Sequence, residues 1–331
     1  MRPSTQERLR VLVTGGAGVY GAHFARLCLD RGYDVFSIRR TDKPNDAASL
    51  LGIAERITWA YGDVRDAAFL LHCLAAWNVQ AVAHFAALPI VSTAPSMLQA
   101  VWSVNTAGTV ALLDAIRQYR PETLVLFISS DKALGHVGQR PYTEDMAPKP
   151  EAPYDASKYA AEIVCRSYQA MGYVPNLVIT RSCNIVATAD TNWRLVPNSI
   201  RQCLTGVPMK VYTESQWTRE FIAVEDAVEA QLTCLLRADE TPGETFHVGS
   251  GVQLTQEEVI AYLKKTHFPD AHVIRVEPPA FSRIEIVYQA LDSTKIRERH
   301  GWKPLLSPSQ AIDRVVAWWR ERPHLAPWSL L

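Results

Sequence analysis

Apolar and polar positions follow two alternating periods along the first half of the chain. Short apolar runs at Leu9–Thr14, Asp34–Ile38, Ile57–Tyr61, Ala81–Phe85, Leu124–Ile128 and Leu177–Thr180 have the length and bounding residues of buried strands. Between them lie longer segments with helical spacing: Val19–Arg31, Ala67–Trp77, Met97–Tyr119 and Tyr154–Met171. Gly32 follows the first of these and supplies a C-terminal stop. Strands that alternate with helices are joined by crossovers, and crossovers cover both faces of a parallel sheet. The pattern predicts an α/β fold built on a Rossmann, doubly wound parallel sheet.

The texture changes past residue 183. Loops lengthen, with Pro, Trp and Arg punctuating Trp193-Arg194-Leu195-Val196-Pro197 and Gly206-Val207-Pro208, and helices are predicted at Val224–Arg237, Gln256–Lys265 and Ser309–Arg322. The expected division is a dinucleotide-binding domain over residues 1–182 and a smaller α/β substrate lobe over 183–331, with some chain returning to the first domain. No Gly/Ser linker separates them, so the lobes are expected to pack with a cleft between.

Lys+Arg and Asp+Glu both number 34, which argues against a cationic face for nucleic acid or a membrane surface. No apolar run reaches the length of a membrane span, and Met1–Arg10 has no apolar core of a secretory signal. The six cysteines are scattered, with no CxxC pair and no His/Cys cluster, so no metal site is expected. A reduced, cytoplasmic setting is the reading that fits.

The first run leads into Gly15-Gly16-Ala17-Gly18-Val19-Tyr20-Gly21, a G-x-x-G-x-x-G turn between a strand and a helix. Glycines there allow a tight turn and a close approach of backbone to a pyrophosphate resting on the helix N-terminus. An acid commonly ends the second strand where NAD is held by its ribose hydroxyls. This chain has Arg39-Arg40, whose guanidinium groups suit a 2′-phosphate, so NADP is expected, with NAD the alternative. Asp63, in Gly62-Asp63-Val64, is placed to accept from an adenine amino group. Tyr154 and Lys158 lie four apart on one helix face. A phenol titrates near ~10 and needs a nearby cation to act as a base at neutral pH.

These segments together resemble the extended short-chain dehydrogenase/reductases that act on nucleotide sugars. The resemblance runs from about Arg10 to Trp319. It rests on the glycine turn, Gly62-Asp63-Val64, His84-Phe85-Ala86-Ala87, Val104-Asn105-Thr106-Ala107-Gly108-Thr109, Ser129-Ser130-Asp131-Lys132, Tyr154-xxx-Lys158, Arg219-Glu220-Phe221-Ile222 and Gly301-Trp302-Lys303-Pro304. It implies a catalytic triad of Ser130, Tyr154 and Lys158. It implies cofactor contacts at Gly15, Ala17, Gly18, Val19, Tyr20, Gly21, Arg39, Arg40, Asp63, Val64, Phe85, Ala86, Ala87, Asn105, Tyr154 and Lys158. The nucleotide-diphosphate sugar falls to Asn184, Arg194, Val196, Arg219 and Arg283, and His84 reads as structural.

Within that family Asp131-Lys132 looks like the pair that follows the catalytic serine in CDP-glucose 4,6-dehydratases, while the strand ending in Arg39-Arg40 is closer to GDP-mannose 4,6-dehydratase. The expected reaction is 4,6-dehydration: transient oxidation at C4, loss of water across C5–C6, and hydride return to C6. Tyr154 takes the first proton, Asp131 is the candidate acid, and Lys132 the candidate base or proton carrier. A neighbouring ammonium lowers an Asp pKa and burial raises it, and the two oppose each other here. A sugar-nucleotide epimerase and a non-catalytic sugar-nucleotide or NADP-binding protein are the alternatives. Relatives often carry consecutive glycines where this chain has Val186-Ala187-Thr188-Ala189-Asp190, and glycine where it has Cys183. The apolar helices at Met97–Tyr119 and Tyr154–Met171 imply a homodimer.

Overall fold

The computed structural model describes residues 8–89, 95–213, 217–277 and 285–326. Its strands are β1 (Arg10–Thr14), β2 (Asp34–Arg39), β3 (Thr58–Tyr61), β4 (Ala81–His84), β5 (Leu124–Ser130), β6 (Leu177–Ser182), β7 (Asn184–Val186), β8 (Met209–Tyr212), β9 (Thr218–Ala223), β10 (Thr245–Val248), β11 (Gln253–Thr255) and β12 (Val273–Val276). The helices are α1 (Val19–Asp30), α2 (Ala47–Leu50), α3 (Ala67–Ala76), α4 (Pro95–Trp102), α5 (Gly108–Tyr119), α6 (Pro153–Ala170), α7 (Leu195–Leu204), α8 (Val224–Leu236), α9 (Gln256–Thr266), α10 (Thr294–His300) and α11 (Pro308–Arg320).

Seven strands form one parallel sheet in the order β3-β2-β1-β4-β5-β6-β10. The side-chain period of two splits each strand between two cores. Leu12, Val82, Val125 and Phe127 pack with Leu70 of α3, Leu112 of α5 and Ala161 of α6. Val11, Val13, Ala83 and Ile128 face the other way, into a core with Phe24 of α1 and Ala227 of α8. This is the doubly wound Rossmann sheet that the alternation predicts. The strand order reverses between β1 and β4, which opens a crevice at their C-terminal ends, where ligands of such sheets bind.

The second core runs without a break into the C-terminal residues: Ile185, Ile200, Phe221, Leu263 and Trp319 belong to the same cluster as Val11. β7, β9 and β11 make a three-stranded sheet, and β8 and β12 a pair. β10 leaves this lobe and joins the edge of the large sheet beside β6.

Two local expectations change. The segment read as one helix over Met97–Tyr119 is α4 and α5 joined by a π-helical turn at Ser103–Ala107. Such insertions mark places where a side chain is re-aimed, and Asn105 lies in this one. Trp193–Pro197, read as loop, instead runs into α7, which starts at Leu195. Pro197 falls in its first turn, where a missing N–H breaks no helical bond.

Candidate active site

The glycine turn comes first because its conformation is forced. Gly15 has φ +74°, and a Cβ there would lie 2.8 Å from Ala86 N. A Cβ on Gly21 would lie 2.4 Å from Gly15 O, so α1 can reach the turn only through a glycine. Helix α1 begins at Gly18 with no side-chain cap and no acid in its first turn. Uncapped N–H groups at a helix start, at the switch point of the sheet, fit the pyrophosphate of a dinucleotide.

Around that cradle the expected contacts divide. Phe85, Ala86 and Ala87 follow β4, and Ala86 N donates to Thr14 Oγ1 at 3.2 Å. Tyr20 puts only its backbone at the turn. Its hydroxyl lies 2.9 Å from Ser182 Oγ and accepts from Gln231 Nε2 at 2.8 Å, and its ring meets Phe85 edge-on. Asn105 spends its amide within the protein, accepting from Leu88 N at 2.8 Å and donating to Ser157 Oγ at 2.9 Å. It thereby ties the chain after β4 to α6. His84 is buried between Thr14 and Thr109 hydroxyls, and burial pushes its imidazole down to about 3, so it stays neutral.

At the end of β2 the Arg39 guanidinium pairs with Asp42 at 2.6 Å and lies 4.2 Å over the Trp59 ring. Arg40 is exposed beside it. Asp63 is held by Arg65 at 2.7 Å, and the hydrogen bonds from Arg65 draw its carboxyl down to about 2. Val64 lies under α5, where a Cβ on Gly108 would meet it at 2.9 Å.

The catalytic candidates converge where β5 ends against the start of α6. Ser130 Oγ donates to Asp131 Oδ1 at 2.9 Å and is close enough to the Tyr154 phenol to favour its ionised form. Burial pushes that phenol up to about 12, with the field of Arg194 pulling the other way. Lys158 is buried, donates to Ile128 O at 2.6 Å, and has its Nζ 4.4 Å from the Phe127 ring centre. Desolvation brings its ammonium down to about 8.

Asp131 is 3 % exposed. Its Oδ1 accepts from Ser130 Oγ and from Lys132 N at 2.8 Å, while Oδ2 is buried without a protein partner. Burial raises its carboxyl above the ordinary range despite the nearby Lys132 and Arg219 cations. The opposition between burial and ammonium left open by the sequence is decided for burial, which outweighs the field of the Lys132 ammonium. Lys132 Nζ donates to Glu285 Oε1 at 2.9 Å. Arg219 Nη2 donates to the same oxygen at 2.6 Å.

Of the substrate candidates, Arg219 comes to this cluster from β9. Arg194 lies at the start of α7 near enough to act on Tyr154. Asn184 donates to Glu220 O at 3.2 Å, and Val196 is buried in the lobe core. Arg283 lies outside the described residues.

Two residues of the cluster escaped the sequence reading. Asp155, inside the Tyr154–Lys158 motif, is 2 % exposed, has Oδ1 buried without a protein partner, and is pushed up to about 7 by burial. An acid between the paired Tyr and Lys was the available signal. Glu285 had none, being 153 residues from Lys132.

The parallel sheet, the glycine turn and the Ser130–Tyr154–Lys158 cluster define a short-chain dehydrogenase/reductase of the extended type. A family model described as GDP-mannose 4,6 dehydratase matches residues 12–315. A dTDP-glucose 4,6-dehydratase of Xanthomonas campestris pv. campestris (strain B100) is 31% identical over 330 residues, 93% of this chain and 92% of that protein. The low-salt glycan biosynthesis protein Agl12 of Haloferax volcanii is 31% identical over 310 residues, 92% of this chain and 97% of its own. Among solved structures, a dTDP-glucose 4,6-dehydratase of Streptomyces venezuelae with NAD bound superposes with a TM-score of 0.85 at 28% identity, covering 96% of this chain and 98% of that one. A UDP-glucose 4-epimerase of Thermotoga maritima shares the fold at a TM-score of 0.85 and 22% identity, over 95% of this chain and 99% of that one. The chain belongs to the GDP-mannose 4,6-dehydratase family. No helix among the described residues is long and apolar enough to cross a membrane.

Proposed function

We propose that the protein is a sugar-nucleotide 4,6-dehydratase using NADP in preference to NAD. The observation that carries the dehydratase reading is Asp131. It is a buried carboxyl directly after the catalytic serine, raised above its ordinary range, with one oxygen free to donate a proton. An epimerase needs no such acid. The names of the relatives agree, and Arg39-Arg40 at the end of β2 supports a 2′-phosphate.

A dinucleotide held at the glycine turn and the start of α1 would supply reversible hydride storage between sugar C4 and C6. The protein's own groups manage the protons. Tyr154 accepts the 4-hydroxyl proton, with the Lys158 cation and the Ser130 hydroxyl offsetting the cost of a buried phenolate. Asp131 gives its proton to the departing 6-hydroxyl. Lys132 is engaged as a donor to Glu285, so it offers charge rather than a base. The C5 proton falls to a carboxylate, Asp155, poised near neutrality, being the buried candidate, and the same group returns a proton to C5 when hydride reaches C6. Arg219 binds the diphosphate. Exposed Trp102 on α4 and Ile163 on α6 support a homodimer through these helices.

The test is incubation with hexose nucleotides of thymidine, uridine, guanosine and cytidine, read by mass spectrometry. A product lighter by one water, with a ketone at C4, supports the reading. An isomer of unchanged mass would make it an epimerase, and binding without conversion a sensor.

A further inference from the structure

Glu285 meets Lys132 and Arg219 through one atom. Its Oε1 accepts from Lys132 Nζ at 2.9 Å and from Arg219 Nη2 at 2.6 Å. The two donors belong to different parts of the fold, the turn after β5 and the start of β9. The three side chains are 15%, 16% and 15% exposed for Lys132, Arg219 and Glu285, so solvent screens these pairs only weakly. Burial works against the Glu285 carboxylate, but the two cations outweigh it and hold the group below the ordinary carboxylate range, hence ionised.

Arg219 therefore has an anionic partner built into the protein at the place where a diphosphate would be bound. Its Nη1 is also committed, to Thr218 O at 2.9 Å. A phosphate oxygen and a carboxylate on one guanidinium repel each other, and in a poorly screened site that repulsion is large. We infer that Glu285 is a positioning residue: its carboxylate competes with the substrate diphosphate for Arg219 while it holds the Lys132 ammonium in place. Part of the diphosphate's binding energy is thus used to separate Arg219 from Glu285, and Glu285 remains on Lys132. Weaker ground-state binding with an ordered Lys132 favours turnover over affinity. The inference rests on Arg219 as the phosphate arginine.

The test uses the full chain saturated with its dinucleotide and titrates the sugar-free diphosphates of thymidine, uridine, guanosine and cytidine by calorimetry. Four proteins are compared: native, Arg219→Met, Glu285→Gln and the double variant. Glu285→Gln is expected to tighten binding of the preferred diphosphate about tenfold, the size of one charge-assisted hydrogen bond that no longer has to be broken. In the Arg219→Met background the same change is expected to do nothing. Unchanged or weaker binding by Glu285→Gln overturns the inference. So does equal tightening in both backgrounds, which would reflect only the loss of one negative charge. If Arg219→Met binds like the native protein, the phosphate reading of Arg219 has failed instead, and the inference falls with it. On the sugar nucleotide that is turned over, Glu285→Gln should lower KM and kcat together, with Glu285→Asp restoring kcat in part; an unchanged kcat removes the positioning role. Should Glu285→Gln fail to fold, Glu285→Asp takes its place in the titrations, with the same expected signs at smaller size.

Discussion

Asp131→Asn separates the two halves of the proposed reaction. The native Oδ1 accepts two hydrogen bonds, from Ser130 Oγ at 2.9 Å and Lys132 N at 2.8 Å. An asparagine keeps both, because the fixed backbone N–H of Lys132 requires the amide oxygen at that position, and its NH₂ falls where Oδ2 has no protein partner. The fold should therefore survive, and removal of a buried ionisable group costs nothing in desolvation. What is lost is the proton for the 6-hydroxyl. General acid assistance is worth about 10²–10⁴ in rate, or ~2.7–5.4 kcal/mol of barrier. C4 oxidation depends on Tyr154, Ser130 and Lys158 and should persist. In a single turnover with the substrate, the variant should develop the near-ultraviolet absorbance of reduced nicotinamide and hold it while water loss lags by that factor. Tyr154→Phe should show neither signal. An Asp131→Asn protein that dehydrates at the native rate refutes the acid role. Loss of oxidation and dehydration in equal measure would place Asp131 in the first step.

Further consequences follow from groups around the site. Asp155 is raised from its usual 3.8 to about 7 by burial, so its contribution to stability is full below pH ~4 and is lost as pH rises to ~7. Asp155→Asn should then melt higher than the native protein at pH 8, by up to ~4 kcal/mol of stability, and alike near pH 4; equal melting at both pH values would show that the carboxyl is not desolvated. Ala189 is buried with φ 56°, in the segment where relatives often carry glycines; Ala189→Gly should stabilise by ~0.5–1 kcal/mol in chemical denaturation, and a loss of stability would contradict the strain. Arg39→Ala should weaken NADP about tenfold or more and leave NAD unaffected in binding assays; tighter native binding of NAD, with no loss for NADP in the variant, would end the NADP assignment. Light scattering should give twice 36.9 kDa for the native protein and a monomer for Ile163→Asp, whose native side chain is 51% exposed on α6; a native monomer contradicts the dimer.

The legible parts of this protein are those whose physics is local. The glycine turn, Ser130-Asp131-Lys132 and Tyr154-xxx-Lys158 each place their chemistry within a few residues, and the alternation of strand and helix determined the sheet. What the chain order concealed depends on long-range packing. Glu285 reaches Lys132 across 153 residues, and the buried Glu162–Arg181 ion pair joins α6 to β6. β10 is four residues long, Thr245-Phe246-His247-Val248, too short for its alternation to stand out, and it joins the large sheet at the edge of β6. α7 was hidden by Pro197, which breaks helices in their interior but not in their first turn. The direction of the Asp131 shift was likewise beyond the sequence, because it depends on how completely the fold buries the carboxyl.

In the proposed reaction, hydride removed from C4 returns within the same molecule to C6. The most direct measurement uses the converted sugar nucleotide carrying deuterium at C4, with the product's label located by nuclear magnetic resonance. The expected product has lost one water and carries the deuterium in its C6 methyl group. Deuterium retained at C4 of an isomer of unchanged mass would contradict that reaction.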